Sequence, residues 1–117
     1  MSKRTLYGLK TCDATRAARK WLESRRVAHV LRDVREEPID RETLKRLVRT
    51  LGWERVLNRL STTYRALDET DKSGIDQAKA IALILAHPAL MKRPLLDFND
   101  GLLIGFDPKA WAEALPS

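Results

Sequence analysis

The sequence has one cysteine, two histidines, few aromatic residues and no long apolar run, and each shortage closes off a class of protein. A single cysteine, Cys12, cannot make an internal disulfide, so the fold must stand on its core and any disulfide chemistry must involve a second molecule. No stretch reaches the roughly eighteen apolar residues of a membrane-spanning helix. Met1-Ser2-Lys3-Arg4 leads straight into a strand-like segment without the apolar centre of a signal peptide, so a cytoplasmic location and no membrane partner are expected. His29 has no carboxylate or second histidine at ligand spacing, and no metal is assigned. Three Trp, two Tyr and two Phe are too scattered for a base-stacking platform, and no nucleic-acid-binding module is recognisable, so nucleic acid is disfavoured as a partner. There is no internal repeat, low-complexity segment or long linker.

What the chain does have is charge, unevenly spread. Residues 1–67 carry 17 Lys/Arg against 8 Asp/Glu, net +9, while residues 68–117 carry 5 against 8, net −3. This asymmetry favours an anionic partner near the first half, such as a small acid or an oxyanion, with a solvated basic surface as the competing account. At 117 residues the chain is long enough for one core and too short for two, which predicts a single domain over residues 1–117.

The stretch Thr5 to Leu22, TLYGLKTCDATRAARKWL, places the cysteine where a strand should turn into a helix. Thr5-Leu6-Tyr7 has strand character, whereas Ala14, Ala17, Ala18, Trp21 and Leu22 share one face of a 3.6-residue helix. A helix start carries unpaired N–H groups and the positive end of the macrodipole, and both favour a thiolate over a thiol. Lys10, Arg16 and Arg19 add positive charge nearby, so the expected direction is a lowered Cys12 pKa and a nucleophilic sulfur. Asp13 acts against this with its negative charge. The competing reading is a small, buried, inert cysteine.

Further along, Ala28 to Val34 (AHVLRDV) reads as a second strand containing His29. Asp40 caps a helix whose Leu44, Leu47, Val48 and Leu51 form an apolar stripe ending at Gly52. Trp53 to Leu67 mixes short helical turns with Ser/Thr breaks and carries Arg59 and Arg65, and Asp68 to Gly74 is turn-like. Ile75 to Ala86 predicts an apolar helix packed on both sides. Leu95–Phe98 and Leu102–Phe106, separated by Asn99-Asp100-Gly101, predict a hairpin. Asp107-Pro108 then opens a last helix with Ala110, Trp111 and Leu115 on its apolar face.

The order is a βαβ unit, a helical insert over about residues 40–88 and a ββα unit, an α/β class with four strands in one mixed sheet. This order resembles the thioredoxin-type fold. That fold commonly has a reactive cysteine after the first strand and a cis proline before the third, the place Pro94 occupies.

Three blocks in sequence, LYGLKTCDATRAARKWL, LGWERVLNRLSTTYRAL and MKRPLLDFNDGLLIGFDPKAW, resemble the arsenate reductase (ArsC) and Spx group of thioredoxin-like proteins, most closely its small YffB-like branch. The resemblance spans nearly the whole chain. It implies that Cys12 is the nucleophile, that Arg16 occupies the arginine of the family's C-G-T-S-R run, and that Arg59 and Arg93 bind an oxyanion or carboxylate. A third family arginine is Phe106 here and a family histidine is Gly8, two departures that weigh against arsenate. The C-x-x-C switch frequent in Spx regulators is absent because Thr15 holds its second position. For the YffB-like branch the resemblance implies a glutathione-linked thiol reductase.

The expected function is therefore a monothiol reductase in which Cys12 attacks a disulfide or oxidised small substrate and glutathione, as co-substrate, resolves the product. Lys10 and Arg16 would stabilise the thiolate, Arg59 and Arg93 would hold an anionic group, and the backbone before Pro94 would dock glutathione. No tightly bound cofactor is expected. Two alternatives are arsenate reduction with a glutaredoxin as partner, and an Spx-like module that binds the transcription machinery through the basic first half.

Overall fold

The computed structural model describes residues 4–98 and 101–115. In chain order its elements are β1 (Thr5–Gly8), α1 (Asp13–Ser24), β2 (Val30–Asp33), α2 (Arg41–Leu51), α3 (Trp53–Val56), α4 (Thr62–Arg65), α5 (Glu69–Lys72), α6 (Gln77–Ala86), a 3-10 turn (Pro88–Leu90), β3 (Leu95–Phe98), β4 (Gly101–Ile104) and α7 (Pro108–Ala114). They fall into two compact units, residues 1–33 with 93–117, and residues 34–92.

The first unit is an α/β layer with a mixed four-stranded sheet in the order β2-β1-β3-β4. β1 runs parallel to β2 and antiparallel to β3, and β3 runs antiparallel to β4. The class and the thioredoxin-like order read from the sequence hold. The register places Leu31, Leu6, Leu96 and Leu103 side by side across the four strands. Because strand side chains alternate, these leucines share one face. Ala18 and Leu22 of α1 and Trp111 of α7, with Leu115 just beyond, pack against that row, and Leu6, Ala18, Leu22 and Leu96 are fully buried. Full burial of each such leucine is worth about 1.5–3 kcal/mol, which fixes both helices to the sheet and α1 in its place behind β1.

The second unit packs α2, α3, α6 and the 3-10 turn around Leu44, Leu47, Val48, Val56, Ile84 and Leu90, all fully buried. Asp40 caps α2 by accepting from the Thr43 N–H at 3.0 Å, and Gly52, at φ 93°, ends it as expected. No helix among the described residues is long and apolar enough to cross a membrane.

Four local expectations change. The second strand starts at Val30, so His29 lies outside it. Arg26 at φ 57° turns the chain after α1, and the His29 Nδ1–H donates to the Val27 carbonyl at 3.0 Å within that connection. The short helical turns expected over 53–67 are present as α3 and α4, the latter capped by the Ser61 hydroxyl. The polar stretch after it contains the one-turn helix α5. α6 buries Ala80, Ile81, Leu83 and Ile84 while Ala78, Ala82 and Ala86 are exposed, so it packs on one side and its other side is small rather than covered. Gly101 belongs to β4, paired with Phe98, and the rest of the expected turn, Asn99 and Asp100, lies outside the described residues.

Candidate functional site

The site grows from the end of β1. Gly8 closes the strand, Leu9 to Cys12 form a tight connection, and α1 begins at Asp13 with Cys12 as its N-cap residue. The Cys12 N–H donates to the Leu9 carbonyl at 3.0 Å, and the Cys12 carbonyl accepts the first helical bond from Arg16 at 2.9 Å. The connection is held from the neighbouring strand: the Lys10 N–H donates to Asp33 Oδ2 at 2.9 Å, and Asp33 is buried at the end of β2. Thr15, fully buried one turn into α1, accepts from the Leu9 N–H through Oγ1 at 3.4 Å. Its side chain fits only because residue 8 has no Cβ. One placed there would lie 2.6 Å from Thr15 Cγ2.

Arg93 comes from the other side by register. β1 and β3 are antiparallel with Tyr7 opposite Leu95, so the residues before Leu95 run beside those after Tyr7. Arg93 thereby arrives at the Cys12 connection, and its peptide bond to Pro94 is cis, as the fold resemblance implied. Pro94 is buried behind it.

Cys12 is a free thiol, partly exposed. Burial is the largest single influence on its pKa and pushes it up. The Thr15 hydroxyl, the Thr15 N–H, the Arg93 guanidinium and the Ala14 N–H together outweigh burial and leave the thiol below its ordinary value. The sulfur makes no cap hydrogen bond of ordinary geometry, yet the first free N–H groups of α1 lie close enough to favour its ionised form. A thiolate only accepts, so the Thr15 hydroxyl lowers the Cys12 pKa as a donor to sulfur while its oxygen accepts from Leu9. A thiolate so placed can attack sulfur or another soft electrophile.

The residues expected at the site divide accordingly. Cys12, Arg93 and Pro94 come together, and Lys10 enters through its backbone. Arg16 is exposed one turn along α1, where it lines a depression with Arg19, Lys20 and Glu23. Arg59 lies in the second unit, exposed, with its guanidinium carbon 5.5 Å from the centroid of the Trp53 ring. Arg65 is also exposed in that unit. Phe106 packs edge-on against Trp21 and Trp111, with centroids 5.9 and 5.1 Å away. Sequence reasoning did not give roles to Thr15 or Asp33. The aspartate that closes Val30–Asp33 is the sequence signal for the second, while Thr15 stands in the sequence only as the non-cysteine position of a C-x-x-C run.

The chain is similar to known proteins over nearly its whole length. The model of the ArsC family matches residues 7–114. An uncharacterized protein of Haemophilus influenzae is 36% identical over 110 residues, covering 94% of this chain and 96% of that one. The global transcriptional regulator Spx of Listeria innocua is 26% identical over 114 residues, covering 96% and 86%. The solved structure of a protein named YFFB is 47% identical, covers 97% of this chain and 99% of its own, and superposes with a TM-score of 0.93.

Proposed function

The chain belongs to the ArsC family, and from that premise we propose that it is a thiol reductase in which Cys12 attacks as a thiolate and glutathione restores it. The observation that carries this is the Cys12 sulfur itself, partly exposed at the start of α1 and held below its ordinary pKa by Thr15, Ala14 and Arg93. On a glutathione mixed disulfide, the thiolate attacks the glutathione sulfur. The substrate thiolate leaves and takes a proton from solvent, and Cys12 is left bonded to glutathione. A second glutathione thiolate attacks the outer sulfur, so glutathione disulfide leaves and Cys12 returns as thiolate. The net exchange consumes one glutathione thiol: mixed disulfide plus glutathione gives the free substrate thiol plus glutathione disulfide, and the second half of that disulfide comes from the substrate. No second protein cysteine exists to do this work.

Arg93 supports the reading twice, because a guanidinium beside the sulfur stabilises the thiolate and offers charge-assisted hydrogen bonds to a carboxylate of the incoming thiol. Arsenate is a poorer fit. Gly8 is packed under Thr15 and Phe106 is committed to an aromatic cluster, so neither position supplies the basic group the resemblance asks for. The likeness to Spx supports a second reading, a protein-binding module without redox chemistry.

Turnover decides between them. With a mixed disulfide of glutathione and mercaptoethanol, glutathione and a coupled glutathione reductase, the parent protein should consume NADPH and Cys12→Ser should not. Equal rates for the two proteins would remove the reductase reading.

A further inference from the structure

Four side chains of α1, Arg16, Arg19, Lys20 and Glu23, line an open depression of about 250 Å3. Counted from Arg16 they stand at i, i+3, i+4 and i+7, spacings that keep residues on one stripe of a helix. Cys12 is the N-cap residue of the same helix, so the row leads along α1 away from the residue that carries the sulfur. At 1.5 Å of rise per residue, Cys12 to Lys20 spans about 12 Å. The three cations are exposed, and the one acid among them, Glu23, is engaged by Arg19 at 3.9 Å. The groups that hydrogen-bond the ionised sulfur are Thr15, Arg93 and Ala14, and none of them belongs to this row.

We infer that this stripe docks an acidic polypeptide, and that the enzyme's substrates are glutathione mixed disulfides carried on acidic protein segments. The inference rests on the thiol reductase reading and adds to it the class of substrate. A small thiol is used up within a few ångströms of the sulfur it is bonded to, whereas a row of cations leading away along a helix matches an extended chain of carboxylates. Opposite charge along the approach raises encounter rates with the right partner and suppresses basic ones. Nucleic acid is also anionic, but the aromatic ring on this helix cannot offer a stacking surface. Arg25 sits over the Trp21 ring at 4.7 Å, and Phe106 and Trp111 contact the same ring edge to face.

The test uses the full chain with two peptides of equal length, one rich in Asp/Glu and one rich in Lys, each carrying one cysteine joined to glutathione. A third substrate is the mercaptoethanol mixed disulfide. Expected is a kcat/KM at least about tenfold higher for the acidic peptide at an ionic strength of about 0.02 M, with the advantage shrinking at about 0.3 M. Lys20→Glu should cut the advantage and leave turnover of the mercaptoethanol substrate unchanged, since this side chain is exposed and stands eight residues along from Cys12. Binding to Cys12→Ser, followed by fluorescence anisotropy, should rank the peptides in the same order and place a single-stranded oligonucleotide below the acidic peptide. Turnover of all three substrates without regard to charge overturns this inference and keeps the reductase reading. An oligonucleotide bound as tightly as the acidic peptide also overturns it. No turnover of any substrate overturns both.

Discussion

Gly8 and Thr15 are a single packing unit: a Cβ on residue 8 would stand 2.6 Å from Thr15 Cγ2 and 3.0 Å from Thr15 Cβ. Thr15 in turn holds the Leu9 N–H and the Cys12 sulfur through one hydroxyl. Read separately from sequence, the two residues are departures from a family pattern. In the structure one makes room for the other.

Gly8→Ala should destabilise the protein by about 1–3 kcal/mol, the usual cost of overpacking a filled site, and should raise the Cys12 pKa by displacing Thr15. Thr15→Val keeps the volume and removes the hydroxyl, leaving the buried Leu9 N–H without its acceptor and the sulfur without its donor. It should cost about 1–3 kcal/mol and also raise the thiol pKa, whereas Thr15→Ser should retain the lowered value. Denaturant unfolding gives the first quantity and alkylation rates the second. In a double-mutant cycle Gly8→Ala should cost less in a Thr15→Ala background, and strict additivity would show that the two residues do not share the space.

Arg93→Met removes a donor from the sulfur and should shift the alkylation profile to higher pH. Arg93→Lys keeps the charge without the planar fork and should fall between the parent and the methionine variant. If all three profiles coincide, Arg93 does not hold the thiolate.

In the second unit, the Lys79 ammonium donates to the Thr70 carbonyl at 2.8 Å and to the Ser73 carbonyl, tying the end of α5 to the first turn of α6. Lys79→Met keeps most of the stem and removes both bonds, at about 0.5–1.5 kcal/mol each. Hydrogen exchange should quicken over residues 69–74 and stay as it was in β1. Unchanged exchange in that loop would show that the ammonium is not its anchor.

Features set by local pattern were legible before the structure. The strand-to-helix switch around Cys12, the capped stripe of α2 and the Asp107-Pro108 start of α7 follow from periodicity and capping, which act over a few residues. The position of Arg93 was legible only through the family resemblance, because the register that brings it beside Cys12 pairs residues far apart in sequence. Asp33 was illegible for the same reason, and the Gly8–Thr15 fit, though only seven residues apart, depends on how α1 folds back over the end of β1. Each depends on which neighbour lies across a strand or under a helix turn. His29 was misplaced because strand-like residues continue backwards from Val30 while Arg26 still turns the chain.

The most direct test is the pH dependence of iodoacetamide alkylation of Cys12, measured on the folded protein and on the same protein in denaturant. The folded thiol is held below its ordinary value, so between the two midpoints the folded state binds fewer protons than the unfolded one. The ionised sulfur therefore contributes stability that is fully present above the unfolded midpoint and is lost as pH falls through the folded one. The account predicts a folded midpoint below the denatured one, and stability relative to Cys12→Ser that rises with pH across that window. A folded midpoint at or above the denatured value would contradict it.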